Sequence, residues 1–102
     1  MIYVIATAEL QPGCRDKFLA EFHKIVPAVR AEEGCIEYGP TVDVQTDIGS
    51  QRPTGADVVT IVEKWESVDA LKAHLVAPHM QEYRAKVNDL VNSTTLHILE
   101  PA

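Results

Sequence analysis

The sequence predicts an α+β fold of the ferredoxin-like type, in which helices cover one face of a four-stranded antiparallel sheet. Three observations lead to it. Four short segments are rich in β-branched and apolar residues, and two longer ones have apolar residues at helical spacing. Their order along the chain is βαββαβ. A length of 102 residues fits one domain, which we assign to residues 1–102.

The first half of the chain contains the first strand, the first helix and the second strand. Residues 2–9 form an apolar, β-branched run that predicts a strand. After a Pro-Gly turn, residues 14–33 show the helical stripe Phe18, Phe22, Ile25 and Val29. Gly34 follows, and we expect it to end the helix in the left-handed conformation. The next strand is predicted over residues 35–44.

The second half repeats this layout after a polar loop at residues 45–57, which is longer than a tight hairpin needs. A strand is predicted over residues 58–66. Ser67 is a suitable N-cap for the helix that follows. Pro78 interrupts this helix, and a second segment is expected to reach about residue 91. The last strand is predicted over residues 94–99.

Composition excludes several classes of partner. The formal net charge of −6 argues against nucleic acid and against an anionic membrane surface, because both are bound by clustered Lys and Arg. No apolar run approaches the length of a membrane span, and no signal peptide is recognisable. We therefore expect a cytoplasmic protein. Cys14 and Cys35 lie near opposite ends of the predicted first helix, too far apart for a disulfide.

The sheet is predicted to be apolar on both faces. In the third strand, Val59 and Ile61 share a face with Glu63 and Trp65, while Val58, Thr60 and Val62 lie on the other. The first strand is likewise apolar on both sides. Because helices can cover only one face, the other would be a large exposed apolar patch, and we expect two chains to pack there as a homodimer.

Glu63, Trp65, His74 and His79 are the candidate site residues. If Trp65 packs under the helices, Glu63 also points inward, where a carboxylate needs a partner. The two histidines lie on the following helical layer, and Pro78 places His79 near a helix N-terminus, which favours its neutral form. A neutral imidazole in an apolar pocket can act as a general base.

Each of these residues also has a purely structural interpretation. A single tryptophan such as Trp65 is more often a core residue than a site residue, and His74 is equally compatible with an exposed helix surface. A bulge would turn Glu63 to solvent. Tyr38 and Tyr83 either line a pocket or fill the core.

The chain has no strong sign of a metal or cofactor site. His74 and His79 are five residues apart, whereas two ligands on one helix face need a spacing of three or four. There is no CxxC motif and no Gly-rich phosphate loop after a strand. We therefore expect no bound metal and no organic cofactor.

Three segments together resemble the antibiotic biosynthesis monooxygenase family, and within it the small quinol monooxygenases. They are residues 62–67 (VEKWES), 70–75 (ALKAHL) and 77–80 (APHM). Residues 27–38 match the end of that family's first helix and its second strand. The resemblance covers nearly the whole chain.

The resemblance implies a dimeric α+β barrel with a pocket between sheet and helices in each protomer. It implies that a quinol or polyketide-like phenol is oxygenated by dioxygen without metal, flavin or haem. By position, His74, His79 and Glu63 match the catalytic part of the motif, with either histidine as base and Glu63 orienting it. Trp65 and Tyr38 would stack on the substrate, and Tyr83 is a further candidate for substrate binding.

Two other functions remain open at this point. One is a non-catalytic dimer that binds a hydrophobic small molecule. The other is a small-molecule isomerase, an activity also found among relatives of this family. An isomerase of this kind would need polar groups in the pocket to bind a phosphate, and this chain has few of them.

Overall fold

A computed structural model describes all 102 residues of the chain. The strands are β1 (Ile2–Leu10), β2 (Cys35–Thr41), β3 (Val58–Trp65) and β4 (Val91–Leu99). The helices are α1 (Arg15–Arg30), α2 (Val68–Leu75) and α3 (Pro78–Val87), and a 3₁₀ turn at Asn88–Leu90 leads into β4. The predicted βαββαβ order is confirmed, with the second helical layer divided in two before Pro78.

The four strands form one antiparallel sheet in the order β2-β3-β1-β4. Alternate residues of β1 are buried from Ile2 to Ala8, as expected for a strand with one face under the helices. Phe18, Phe22, Val26 and Val29 of α1 complete the core on that side. The ferredoxin-like prediction is therefore confirmed, and the core lies between the sheet and the helices.

Several element boundaries differ from the prediction, beginning with α1, which ends at Arg30 rather than residue 33. β2 ends at Thr41 rather than residue 44, and residues 42–57 form no regular strand. α3 ends at Val87, and β4 begins at Val91 rather than residue 94, because Val91 pairs with Leu10 at the end of β1. The backbone pairing with β1 decides this boundary, and the helical stripe seen in the sequence does not reveal it.

Gly34 joins α1 to β2 with a φ of +85°, which confirms the predicted left-handed turn. A Cβ at this position would stand 2.5 Å from Cβ of Ala70 in α2. The turn therefore packs directly against α2, and its carbonyl accepts a 2.8 Å hydrogen bond from the amide of Glu66. This close approach brings the C-terminal end of α1 next to α2.

The sheet face opposite the helices is largely apolar at its centre. Tyr3 and Ile5 are half-buried there, and Val62 and Leu99 are 39% and 49% exposed. Lys64 lies over the Tyr3 ring, with its Nζ 5.3 Å from the ring centre. This is the face on which the homodimer is predicted.

Two further sequence-based points can be compared with the structure. Cys14 and Cys35 are free thiols, as predicted. None of the three helices combines the length and the hydrophobicity that crossing a bilayer requires.

Candidate active site

A cavity of about 500 Å³ lies between the helical layer and the sheet. Twelve of the 18 residues in its walls are hydrophobic, so a matching ligand is largely apolar. The inner end is formed by buried residues of the strands and of α2. The outer end is formed by exposed residues of α3, the 3₁₀ turn and β4, among them Arg84, Asn88, Asn92, Thr94 and Leu96.

Three polar side chains meet at the inner end of this cavity, and each comes from a different element. Glu63 of β3, His74 of α2 and Tyr38 of β2 are 5%, 2% and 4% exposed. Glu63 faces inward because it shares the helix-facing side of β3 with Ile61 and Trp65, which confirms the strand orientation predicted from the sequence.

The Glu63 carboxyl group is only partly satisfied by the protein. Its Oε1 accepts a hydrogen bond of 2.9 Å from the indole Nε1 of Trp65. Desolvation by burial raises the pKa of Glu63 from 4.5 to about 7, because the indole hydrogen bond only partly offsets it and the negative charge of Glu32 adds to it. Near neutral pH the group is thus close to half-protonated and can donate or accept a hydrogen bond.

His74 is held between two aromatic rings. Its imidazole lies 4.7 Å from the Trp65 ring and 5.4 Å, edge-on, from the Tyr38 ring, measured between ring centres. Burial lowers the pKa of His74, and the neighbouring Glu32 carboxylate opposes that shift. The lowered pKa favours the neutral imidazole, which is the form that can accept a proton.

One carboxylate oxygen of Glu32, just beyond the end of α1, lies within hydrogen-bond distance of both candidate histidines. His74 Nδ1 lies 2.9 Å and His79 Nε2 lies 2.7 Å from Glu32 Oε2. An ionised carboxylate only accepts hydrogen bonds, so each of these ring nitrogens carries the proton. In neutral His74 this leaves Nε2 unprotonated, and no protein group donates a hydrogen bond to it.

Two of the predicted site residues lie behind the cavity rather than in its wall. Trp65 is fully buried and reaches the cavity only through its contacts with Glu63 and His74. His79 is 30% exposed on the outer side of Glu32. The sequence predicts that Glu63 orients a histidine. In the structure the Glu63 carboxyl group is instead hydrogen-bonded to Trp65, and Glu32 is the residue hydrogen-bonded to both imidazoles.

The two predicted tyrosines both line the cavity. Tyr38 stacks on Phe22 with ring centres 5.5 Å apart. Tyr83 meets Phe22 and Phe18 edge-on at 5.7 and 6.2 Å. Desolvation by burial raises the pKa of each phenol above its ordinary value, so both remain protonated at neutral pH. With the two phenylalanines their rings form an aromatic wall, in which Tyr38 is the ring that adjoins His74.

Glu32, Arg84, Asn88 and Asn92 are site residues that the sequence analysis missed. Glu32 is 42 residues from His74, and nothing local distinguishes it from the neighbouring Glu33. Nothing in the sequence signals that a distant carboxylate is required, because the two helices that carry His74 and His79 have acids of their own, Asp69 and Glu82. No group of three or more His, Cys, Asp or Glu side chains is arranged as a metal site.

Comparison with known proteins identifies the family. The sequence profile of the family described as "Antibiotic biosynthesis monooxygenase" matches residues 1–86. The chain belongs to the antibiotic biosynthesis monooxygenase family. Glu63, His74 and the aromatic wall are thus the cavity residues of an antibiotic biosynthesis monooxygenase family protein.

Individual relatives agree with this assignment. The Escherichia coli K12 protein named "Probable quinol monooxygenase YgiN" is 40% identical over 103 residues, which cover 99% of this chain and 98% of that protein. The structure of Rv0793 from Mycobacterium tuberculosis superposes with a TM-score of 0.77 at 26% identity, covering 99% and 94% of the two chains. The crystal structure of PA3566 from Pseudomonas aeruginosa, at 22% identity, has a TM-score of 0.80 over 99% of this chain and 93% of that one, and it supports the fold.

Proposed function

We propose that the protein is a monooxygenase that oxidises an electron-rich aromatic, a quinol or a polyketide-like phenol, with dioxygen and without a metal or organic cofactor. Family membership and the name of the 40% identical relative support the reaction class. The observation that carries the proposal is the position of His74 in the wall of an apolar cavity that Glu63 also lines, with His74 Nδ1 2.9 Å from Glu32 Oε2. With the proton on Nδ1, the other ring nitrogen, Nε2, is available as the base.

The first step is removal of a proton from a phenolic hydroxyl. The substrate O–H bond breaks, and an N–H bond forms at His74 Nε2. Glu63 hydrogen-bonds another substrate oxygen, and the ring of the substrate lies along Tyr38 and Phe22. The phenolate is a much better one-electron donor than the phenol, so it can reduce dioxygen where the neutral substrate cannot.

The overall reaction balances without any further reductant. A quinol and one dioxygen give a hydroxylated quinone and one water, so that one oxygen atom enters the ring and the other leaves as water. All four electrons come from the quinol: two from hydroxylation at carbon and two from oxidation of its hydroxyls. The apolar walls keep water away from the radical and peroxide species that such a route requires.

The proposal is tested by oxygen uptake with a panel of reduced quinols in the presence of a chelator. We expect uptake with at least one quinol, and a fall of about 100-fold or more in kcat for His74→Ala, because general-base catalysis typically contributes that much. His23→Ala is the matched control, since His23 is exposed on α1 and does not line the cavity. No uptake with any quinol, or uptake abolished by the chelator, contradicts the proposal.

A non-catalytic binder of a hydrophobic small molecule is the second candidate, and the mostly apolar cavity favours it as well. It predicts saturable binding of aromatics without oxygen consumption. It also predicts affinity that is unchanged when His74 and His79 are both replaced by alanine.

We also propose that the protein is a homodimer that packs through the open face of the sheet. The apolar groups at the centre of that face, Tyr3, Ile5, Val62 and Leu99, support this arrangement.

A further inference from the structure

We propose that Glu32 is a positioning residue for the proposed reaction: its carboxylate holds His74 in the tautomer whose Nε2 accepts the substrate proton and stabilises the imidazolium that results. His79 holds the carboxylate in place from the opposite side. This inference rests on the proposed function only for its effect on turnover, since the tautomer is a property of the free protein.

The geometry of the three groups carries the inference. One oxygen, Glu32 Oε2, lies 2.9 Å from His74 Nδ1 and 2.7 Å from His79 Nε2. The side chains of His74, Glu32 and His79 are 2%, 14% and 30% exposed, so they form a row from the cavity to the surface. With its acceptor oxygen engaged by two rings from two different helices, the carboxylate has little freedom to leave His74.

The charge distribution explains why such a group is needed. When His74 accepts the phenolic proton, a positive charge appears on a nearly fully buried ring, which is unfavourable without a nearby anion. Glu32 supplies that anion. The groups with charge or titratable protons that face His74 are Glu32 beyond α1, Tyr38 on β2, Glu63 on β3, and His79 and Arg84 on α3.

Glu32 affects the balance between the neutral and the protonated form of His74. Its carboxylate favours the protonated form of His74, whereas burial, His79 and Arg84 oppose that form. Replacing Glu32 by glutamine removes the negative charge and leaves an amide that can donate as well as accept. The ring of His74 is then free to adopt the other tautomer, with the proton on Nε2.

The direct test is nitrogen NMR of the histidine rings in the free, wild-type protein above the pKa of His74. The chain has only four histidines, and the His74 signals are assigned by their absence from a His74→Gln variant. We expect the Nδ1–H tautomer in the wild type and a mixture with Nε2–H in Glu32→Gln. Glu33→Gln is the matched control, because Glu33 is the adjacent, exposed acid, and its spectrum should equal that of the wild type.

The kinetic test separates positioning from a general loss of structure. For Glu32→Gln we expect kcat/KM to fall at least about tenfold, and the acidic limb of its pH profile to move about one unit lower, because a neighbouring negative charge has been removed. An unfolded fraction would lower the amplitude of the profile without moving the limb.

The outcomes distinguish this inference from the proposed function. A wild-type protein with Nε2–H on His74, or a Glu32→Gln variant with unchanged tautomer and pH profile, overturns the role of Glu32, and the first of these does not depend on the folding of Glu32→Gln. The expected tautomers in a protein that consumes no oxygen with any quinol would leave the positioning role standing and reject the monooxygenase.

Discussion

The indole Nε1 of Trp65 donates a hydrogen bond of 2.9 Å to Oε1 of Glu63, two residues earlier on the same strand. Both side chains point to the helix-facing side of β3 because strand residues alternate between faces. The bond engages one carboxyl oxygen and leaves the other for the cavity. The only tryptophan of the chain therefore holds a cavity residue in place without lining the cavity itself.

Replacing Trp65 by phenylalanine should raise the pKa of Glu63 above its value of about 7, since the indole hydrogen bond is the one contribution that lowers it. Loss of the bond and of part of the ring should also destabilise the fold by roughly 1–3 kcal/mol. Carbon NMR of the labelled carboxyl group, followed through a pH titration, measures the first effect. A Glu63 pKa that is unchanged or lower in the variant would show that the indole does not favour the carboxylate.

Glu63 should make the folded protein less stable as the pH rises. Its pKa is raised from 4.5 to about 7 on folding, so between these values the folded state binds more protons than the unfolded state, and the free energy of unfolding falls with increasing pH. Across the whole window the loss is on the order of 3 kcal/mol. In Glu63→Gln this contribution should vanish.

Urea denaturation at a series of pH values measures how Glu63 changes the free energy of unfolding with pH. Glu66→Gln is the matched control, because Glu66 is an exposed acid three residues after Glu63 in the same EKWE segment, and its pH dependence should follow the wild type. Equal slopes for wild type and Glu63→Gln between pH 5 and pH 7 would mean that the buried carboxyl group is ionised in the folded state throughout.

Gly34→Ala should disturb both stability and the site. An alanine with a positive φ costs roughly 1–2 kcal/mol, and its Cβ would also overlap Cβ of Ala70, 2.5 Å away. Gly13 has a similar φ of +75° with no neighbour within 4 Å, so Gly13→Ala isolates the backbone contribution. We expect the larger loss of thermal stability, and a change in the His74 ring shifts, for Gly34→Ala alone. Equal effects of the two substitutions would contradict the packing of this turn on α2.

The homodimer can be tested with one substitution on the open face of the sheet. Light scattering should give twice the chain mass of 11.3 kDa for the wild type and one chain mass for Val62→Asp, because a buried carboxylate at that position would be unpaired. Val76→Asp is the control, since Val76 is 68% exposed beyond the end of α2, away from that face. A wild-type mass near one chain would reject the dimer.

The sequence reveals those parts of the site that follow from local periodicity. The two-residue spacing of Glu63 and Trp65 indicates a shared face once Trp65 is taken as buried, and Pro78 indicates where the second helical layer divides. The match of VEKWES, ALKAHL and APHM to a family then suggests which cavity these residues serve.

Long-range contacts could not be predicted in this way. Glu32 reaches His74 only because the Gly34 turn packs against Ala70, a contact between segments about 36 residues apart that no periodicity encodes. The start of β4 depends on pairing with Leu10 at the other end of the chain. Trp65 was expected against the substrate from the family resemblance, but it does not line the cavity, and His74 lies next to its ring.

The central claim is that the chain itself transfers one oxygen atom from dioxygen to a phenol bound next to His74. Turnover of a quinol under ¹⁸O₂ in the presence of a chelator, followed by mass spectrometry of the product, tests it most directly. We expect one labelled oxygen in the quinone formed by the wild type, and labelled quinone to form about 100-fold or more slowly with His74→Ala. A product that carries no label, or labelled product formed at equal rates by both proteins, would contradict the account.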